Sequence, residues 1–410
     1  MNFSKNNRFA HLLVLLLASL ILRFIFARFL GDEWSIEVRI ISLFVILGTG
    51  AIFVLRGTAK IIEETTEVLS ERTKLAGGLL QSFGTAFPDM VLGIIAAIVS
   101  VRLRSTDYAR AINFAIIAAA TTFGSNIYNI GHGVWCIVRQ NMANKSGKEY
   151  AMFPFIKKSG IVTPMATHKT LPHLSELDAA MDVSIALTLL TALVAVSMVL
   201  FGQIKTAPLG IKNDLYQLIR PVGIAVFILS IGTLYYFRKT KRQETPVEEI
   251  GKEEHYYRRT STPAILFNLL LAGAAILFAA IAMVEAIEVF SQITHTPLVI
   301  AGVLAGMIGC LGEMIVVHNF TVNPKGRIGD AITGVAMDNI VTILGASLVA
   351  IMGGIFLGGN ALILIFVIIL SCNTLLIWQI AKLKNFFLVP HTRNLPETRP
   401  GTLHIRKKIV

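Results

Sequence analysis

Asp89, Glu313 and Asp338 each fall inside a long apolar run, where a charged side chain is unfavourable. At membrane depth a buried charge costs at least about 2.5 kcal/mol, so each acid needs a reason to be there. An amide or basic neighbour is the plainer explanation for any one of them taken alone. Yet no Lys or Arg lies in the interior of the runs around 74-101, 109-138, 297-320 and 330-357, so a bound metal ion or a proton must balance the charge. The flanking residues suit a hard cation. Thr85 with Asp89, Ser125 with Asn129, and Asp338 with Thr342 are each four apart, which puts each pair on one helical face. Calcium takes about 6 to 8 oxygens from carboxylates, amides, hydroxyls and backbone carbonyls, and sodium accepts a similar set. Pro88 cannot donate to the carbonyl of Gly84, so a break or kink is predicted there, freeing carbonyls toward the ion. Gly312 permits a bend in the other half. Close helix packing is the alternative use of such glycines and prolines.

The elements that must hold these groups follow from composition. Of 410 residues 54% are apolar and 15% charged, against about 25% charged in soluble domains, which excludes an ordinary soluble protein. Cys136, Cys310 and Cys372 all lie in apolar stretches, which argues against a disulfide framework or a Cys-based zinc site. A hydrocarbon core of about 30 Å needs roughly 20 apolar residues of helix. Ten such runs are present: 9-30, 39-62, 74-101, 109-138, 182-202, 217-238, 262-288, 297-320, 330-357 and 360-383. Arg23 and Arg28 interrupt the first, which favours a retained helix over a cleaved signal. Ten passes divide the Lys and Arg residues into 28 on one face and nine on the other. The basic face, with both termini, is expected to be cytoplasmic. The net charge of +12 thus points to membrane topology before nucleic acid. The longest polar connections, 139-181 and 239-261, read as solvated loops.

The chain also repeats itself. Ala76 to Gly84 parallels Ala301 to Gly309, each followed by an acid and then Met, Asp89-Met90 and Glu313-Met314. The next run in each half carries an Asn-Ile pair, at Asn126-Ile127 and Asn339-Ile340. Two halves of five runs result, 9-202 and 217-383. An odd number per half means that the second copy enters from the opposite side, the inverted-repeat architecture of secondary transporters. The fold class is therefore an all-α membrane protein of about ten transmembrane helices in two inverted five-helix repeats.

These motifs resemble the cation/calcium exchanger superfamily, whose members include proteins similar to sodium/calcium exchangers. That family's first repeat reads Gly-Thr-Ser-x-Pro-Glu on one span and Gly-Ser-Asn-Ile-Phe-Asn on the next. Here the corresponding stretches are Gly84-Thr85-Ala86-Phe87-Pro88-Asp89 and Gly124-Ser125-Asn126-Ile127-Tyr128-Asn129. Residues 54 to 135 match in order and spacing, and 280 to 357 more loosely. The resemblance implies an antiporter that exchanges a divalent cation, calcium foremost, for sodium or protons by alternating access. It implies that 39-62 and 262-288 slide across a fixed ligand cluster. It places the two repeat acids on Asp89 and Glu313, with hydroxyl and amide ligands on Thr85, Ser125 and Asn129. Asp338 and Thr342 complete the expected oxygen set. Boundaries follow as an extra helix in 1-38, repeats at 39-202 and 262-383, a connecting helix and loop at 203-261, and a basic tail at 384-410. The expected partners are Ca²⁺ or another divalent cation, Na⁺ or H⁺, and the lipid bilayer. No cofactor, nucleic acid or enzymatic activity is expected, and the expected location is a plasma or inner membrane.

The departures are specific. Asp89 stands for Glu, Ala86 lacks a hydroxyl, and Gly309-Cys310-Leu311-Gly312-Glu313 replaces a Thr, Ser and Pro pattern. The family's further acid falls on Thr342, with Asp338 one turn earlier. His132 and His318 lie near the two motifs, where proton coupling and a satisfied core histidine compete as readings. A passive channel or a transport-inactive sensor on the same scaffold is the main rival. An intramembrane aspartyl protease would have to use Asp330, in the weak setting Arg327-Ile328-Gly329-Asp330.

Overall fold

Inside a bilayer a chain satisfies its backbone only by helix or closed barrel, and runs rich in Leu, Ile, Ala and Val with few turn residues select helix. The computed structural model describes residues 8–388 apart from 74–78, 157–158, 169–170, 173, 205–214, 242–256, 258–259, 324–327 and 354–355. The first half contains α1 (Arg8–Phe24), α2 (Ile36–Gly48), a π-helical stretch (Thr49–Leu55), α3 (Arg56–Thr73), α4 (Leu79–Leu103), α5 (Tyr108–Ser146), the single turn α6 (Met165–His168) and α7 (Leu174–Phe201). The second contains α8 (Arg220–Lys241), α9 (Thr262–Thr294), α10 (Leu298–Gly309), α11 (Leu311–Val322), α12 (Ile328–Met352) and α13 (Gly359–Leu388). Among the described residues eight helical segments are long and apolar enough to cross a membrane, and the pair α10 and α11, bent by 54°, makes a ninth. The 25-residue α4 stands in the place of the third apolar run, though among the described residues only its part Met90–Leu103 counts, as a shorter apolar helix.

Connections gather at two ends. At one, β3 (Gln203–Ile204), β4 (Leu215–Gln217) and β5 (Phe356–Gly358) form a small antiparallel sheet in which Leu215 pairs with Gly358. Arg104, after α4, donates to the carbonyl of Gly353, as does Gln217 at 3.2 Å. At the other end β1 (Tyr150–Ala151) and β2 (Ile161–Val162) pair into a strap lying on α5, α11 and α12. Gly160 has φ +85, and a Cβ there would meet Val322 at 2.8 Å. From these ends each helix takes a direction. α4 runs from the strap end to the sheet end and α10–α11 runs the opposite way; α5 and α12 are likewise opposed. This is the inverted repeat as geometry.

The interior is built from small residues. Ala111, Ala115, Ala118, Ala119 and Ala120 are buried on α5, and Ala272 to Ala286 recur along α9. Small side chains let helices approach closely where lipid supplies no hydrophobic drive. Large apolar residues such as Phe44, Leu189, Leu270 and Leu364 are exposed around the outside, as lipid-facing positions of a multi-pass integral membrane protein should be. The first spans of the two halves are placed differently: α1 packs on α9, whereas α8 packs on α12 and α7.

Candidate functional site

Two glycines bring the central helices together. A Cβ on Gly306 of α10 would lie 2.5 Å from the Thr121 carbonyl and 2.7 Å from the Ser125 nitrogen, and one on Gly124 of α5 would lie 2.7 Å from Val303 Cα. Backbone therefore lies on backbone along this seam. α5 continues beside the broken helix with a stripe of functional groups: Ser125, then Asn129, then His132.

Asn129 Nδ2 donates to Glu313 Oε2, joining a helix of the first half to one of the second; both residues are buried. Glu313 stands in the first turn of α11, where the positive end of the helix dipole favours a carboxylate. The chain break that creates this turn is at Cys310, with φ −88 and ψ 3. Its N–H reaches the Gly306 carbonyl at 3.3 Å, and its thiol donates to the Met307 carbonyl at 3.4 Å. Of the break or kink predicted at Pro88, the break does not occur: α4 is continuous from Leu79 to Leu103, and an interruption falls in the other half. One proline removes one donor, and neighbouring helices can hold such a helix together. Gly309, just before Cys310, and Gly312, two residues after it, are both positions of low helix propensity.

Ser125 is fully buried and donates to the Thr122 carbonyl at 2.9 Å. Thr342 donates to the Asp338 carbonyl at 3.0 Å, and both are buried on α12. In both hydroxyls the proton is used within the helix and oxygen lone pairs remain as acceptors. Thr85 and Asp89 lie on α4, but their side chains fall outside the described residues, as do those of Pro88, Gly312 and Asp330. Met90 is described: a Cβ on Gly345 of α12 would meet its Cγ at 2.9 Å, so this turn of α4 lies beside α12. Among the described residues Asn129 Oδ1, both polar atoms of Asn126 and both of Asn373 are buried without a hydrogen-bond partner.

Two features escaped the reading of the sequence. His132 and His318 stack with centroids 5.9 Å apart and planes at 13°. Phe153 of the strap stacks on both, at 6.0 and 5.8 Å, and on Trp135 at 6.2 Å. The spacing of each histidine from its motif was visible, but their meeting depends on the register of α5 against α11. The other feature is a pair of acids on α9, Glu285 and Glu288, held by Arg23 and Arg110. The outward arginines were visible as topology markers; their partners were not.

No protein-family profile matches this chain, and no curated protein matches it. Among solved structures it is similar to the "H+/Ca2+ Exchanger CAX", at 14% identity over 97% of this chain and 91% of that one, with a TM-score of 0.55. "Native YfkE" matches over 92% of this chain and 100% of that one at 14% identity, with a TM-score of 0.48. The sodium-calcium exchanger NCX_Mj matches over 86% and 99% at 14% identity, with a TM-score of 0.41. The first of these matches shows that the chain shares the all-α, inverted-repeat fold of that structure.

Proposed function

We propose that this chain is a secondary-active antiporter that exchanges a divalent cation, calcium foremost, for Na⁺ or H⁺ by alternating access. The observation that carries the reading is the buried contact between Asn129 and Glu313, which joins oppositely directed halves in a fold shared with an H⁺/Ca²⁺ exchanger. Glu313 and Asp89 neutralise the ion. Ser125, Asn129, Asp338, Thr342 and Thr85 complete an oxygen set of the hardness that calcium and sodium prefer.

The repeat supports including Asp89. Asn126 corresponds to Asn339 and Met90 to Met314, so the partner of Asp89 equivalent to Asn129 is Thr342. The packing of Met90 on Gly345, three residues beyond Thr342, agrees with that register. The break at Cys310 supplies the ends of two half-helices, the arrangement by which discontinuous helices serve ions in transporters. The strap end carries the basic loops and faces the cytoplasm.

The test is uptake of radiolabelled calcium by vesicles containing the full chain, under imposed sodium and, separately, pH gradients. Uptake driven by either gradient is expected. Flux that follows only the calcium gradient would mean a passive channel, and no flux with any ion would mean an inactive scaffold.

A further inference from the structure

α9 packs along α1, α3 and α4, touches α10 less extensively, and meets α5 only over a short stretch. At that thin contact, near the sheet end, Glu288 of α9 has a side chain only 1% exposed. It accepts three hydrogen bonds from Arg110, at the start of α5: Nε to Oε1 at 3.2 Å, Nε to Oε2 at 3.0 Å and Nη2 to Oε2 at 2.9 Å. The guanidinium carbon also lies 5.5 Å from the Phe114 ring. One turn earlier on α9, Glu285 pairs with Arg23 of α1 at 2.8 Å. The two pairs differ in what they join. Arg23–Glu285 binds α1 to the helix it already packs on, and both side chains are partly exposed. Arg110–Glu288 crosses from that helix group to α5, which carries Ser125 and Asn129.

We propose that Arg110–Glu288 is a latch that holds α9 against the start of α5 and must release each time α9 shifts during transport. The inference rests on the antiport reading above. A forked guanidinium contact on both carboxylate oxygens is directional and holds one relative position of the two helices. Only the carboxylate of this pair is buried, and an ion pair with a burial cost on one side is a poor stabiliser compared with apolar packing, so two helices meant to stay fixed would be better served by leucines. Arg110 is 48% exposed and stands in the first turn of α5, at the sheet end. Water entering an opening at the sheet end can solvate Glu288 as the fork parts.

The test is a double variant of the full chain, Arg110→Cys with Glu288→Cys, in proteoliposomes, joined by a short reducible bis-thiosulfonate tether. Calcium uptake driven by the counter-ion is expected to fall about tenfold or more on tethering and to return on reduction. Wild-type protein treated with the same reagent controls for Cys136, Cys310 and Cys372. Uptake unchanged in the tethered protein overturns the latch alone. Absence of counter-ion-driven uptake in untreated wild type overturns the antiport reading and the latch with it. Where the double cysteine variant fails to fold, the exchanged pair Arg110→Glu with Glu288→Arg decides. Recovery to at least about half of wild-type uptake, with Arg110→Glu alone below about a tenth, supports the latch, and an exchanged pair no better than the single variant overturns it.

Discussion

Glu288 and Glu313 are both buried acids in apolar helices, yet their surroundings differ in kind. Glu288 is gripped by a guanidinium through three hydrogen bonds, so its charge is met by a fixed positive group. Glu313 receives a hydrogen from the Asn129 amide, a donor that orients the carboxylate and brings no charge of its own. A fixed cation closes a site to mobile ones, so Glu288 is held in place, while the Asn129 amide orients Glu313 across the two halves. Burial alone therefore does not mark a transport acid, and variants at the two positions test the roles proposed for them.

The largest effects should come from removing charge at the acids assigned to the ion. Glu313→Gln and Asp89→Asn are each expected to reduce counter-ion-driven calcium uptake by about 100-fold, because charge count governs affinity for a divalent ion. The folded chain should persist, seen as an unchanged monodisperse elution profile in detergent. Glu288→Gln should behave in the opposite way on stability. Leaving Arg110 without its carboxylate is expected to cost about 1–3 kcal/mol, below the range for fully buried pairs because Arg110 is partly exposed. Denaturation by a graded detergent titration measures it. Equal stability loss in Glu313→Gln and Glu288→Gln would erase the distinction between the two acids.

A middle-sized effect tests the seam that carries Ser125 and Asn129 to the broken helix. Gly306→Ala drives a methyl group onto backbone atoms at 2.5 and 2.7 Å, and α5 and α10 must move apart to accept it. Overpacking of this kind costs about 1–3 kcal/mol. Because the displaced backbone is that of Thr121 and Ser125, uptake should fall by about tenfold, read in the same vesicle assay.

How far such features could be read in advance depends on whether they are local. The apolar passes and the inverted repeat were legible because hydropathy and spacing are properties of short stretches. The site of the helix break was not. Pro88 announces itself in a sequence, but a proline inside a packed bundle can be carried by its neighbours, and α4 runs through it. The break at Cys310 has no such signal beyond its flanking glycines, because it depends on how α10 meets α5 at Gly302 and Gly306. The stacking of His132 on His318 and the grip of Arg110 on Glu288 likewise require the register between distant helices. Tertiary packing sets that register, and one sequence does not display it.

The smallest expected effect isolates α5 itself. Gly131 lies between Asn129 and His132, and a Cβ there would meet nothing within 4 Å. Its φ is not positive, so alanine fits the helix without strain, and Gly→Ala in a helix interior is worth about 0.5–1 kcal/mol of added stability. Gly131→Ala should therefore stabilise the chain slightly and leave calcium uptake within about twofold of wild type. Such a result would mean that α5 keeps this shape throughout the cycle, with Asn129 on a static scaffold and α9 as the helix that moves. A loss of about tenfold or more, despite the gain in stability, would place a hinge at Gly131. Asn129 would then move with the cycle, and the contrast between a fixed ion-binding helix and a latched moving one would have to be redrawn with the motion in α5.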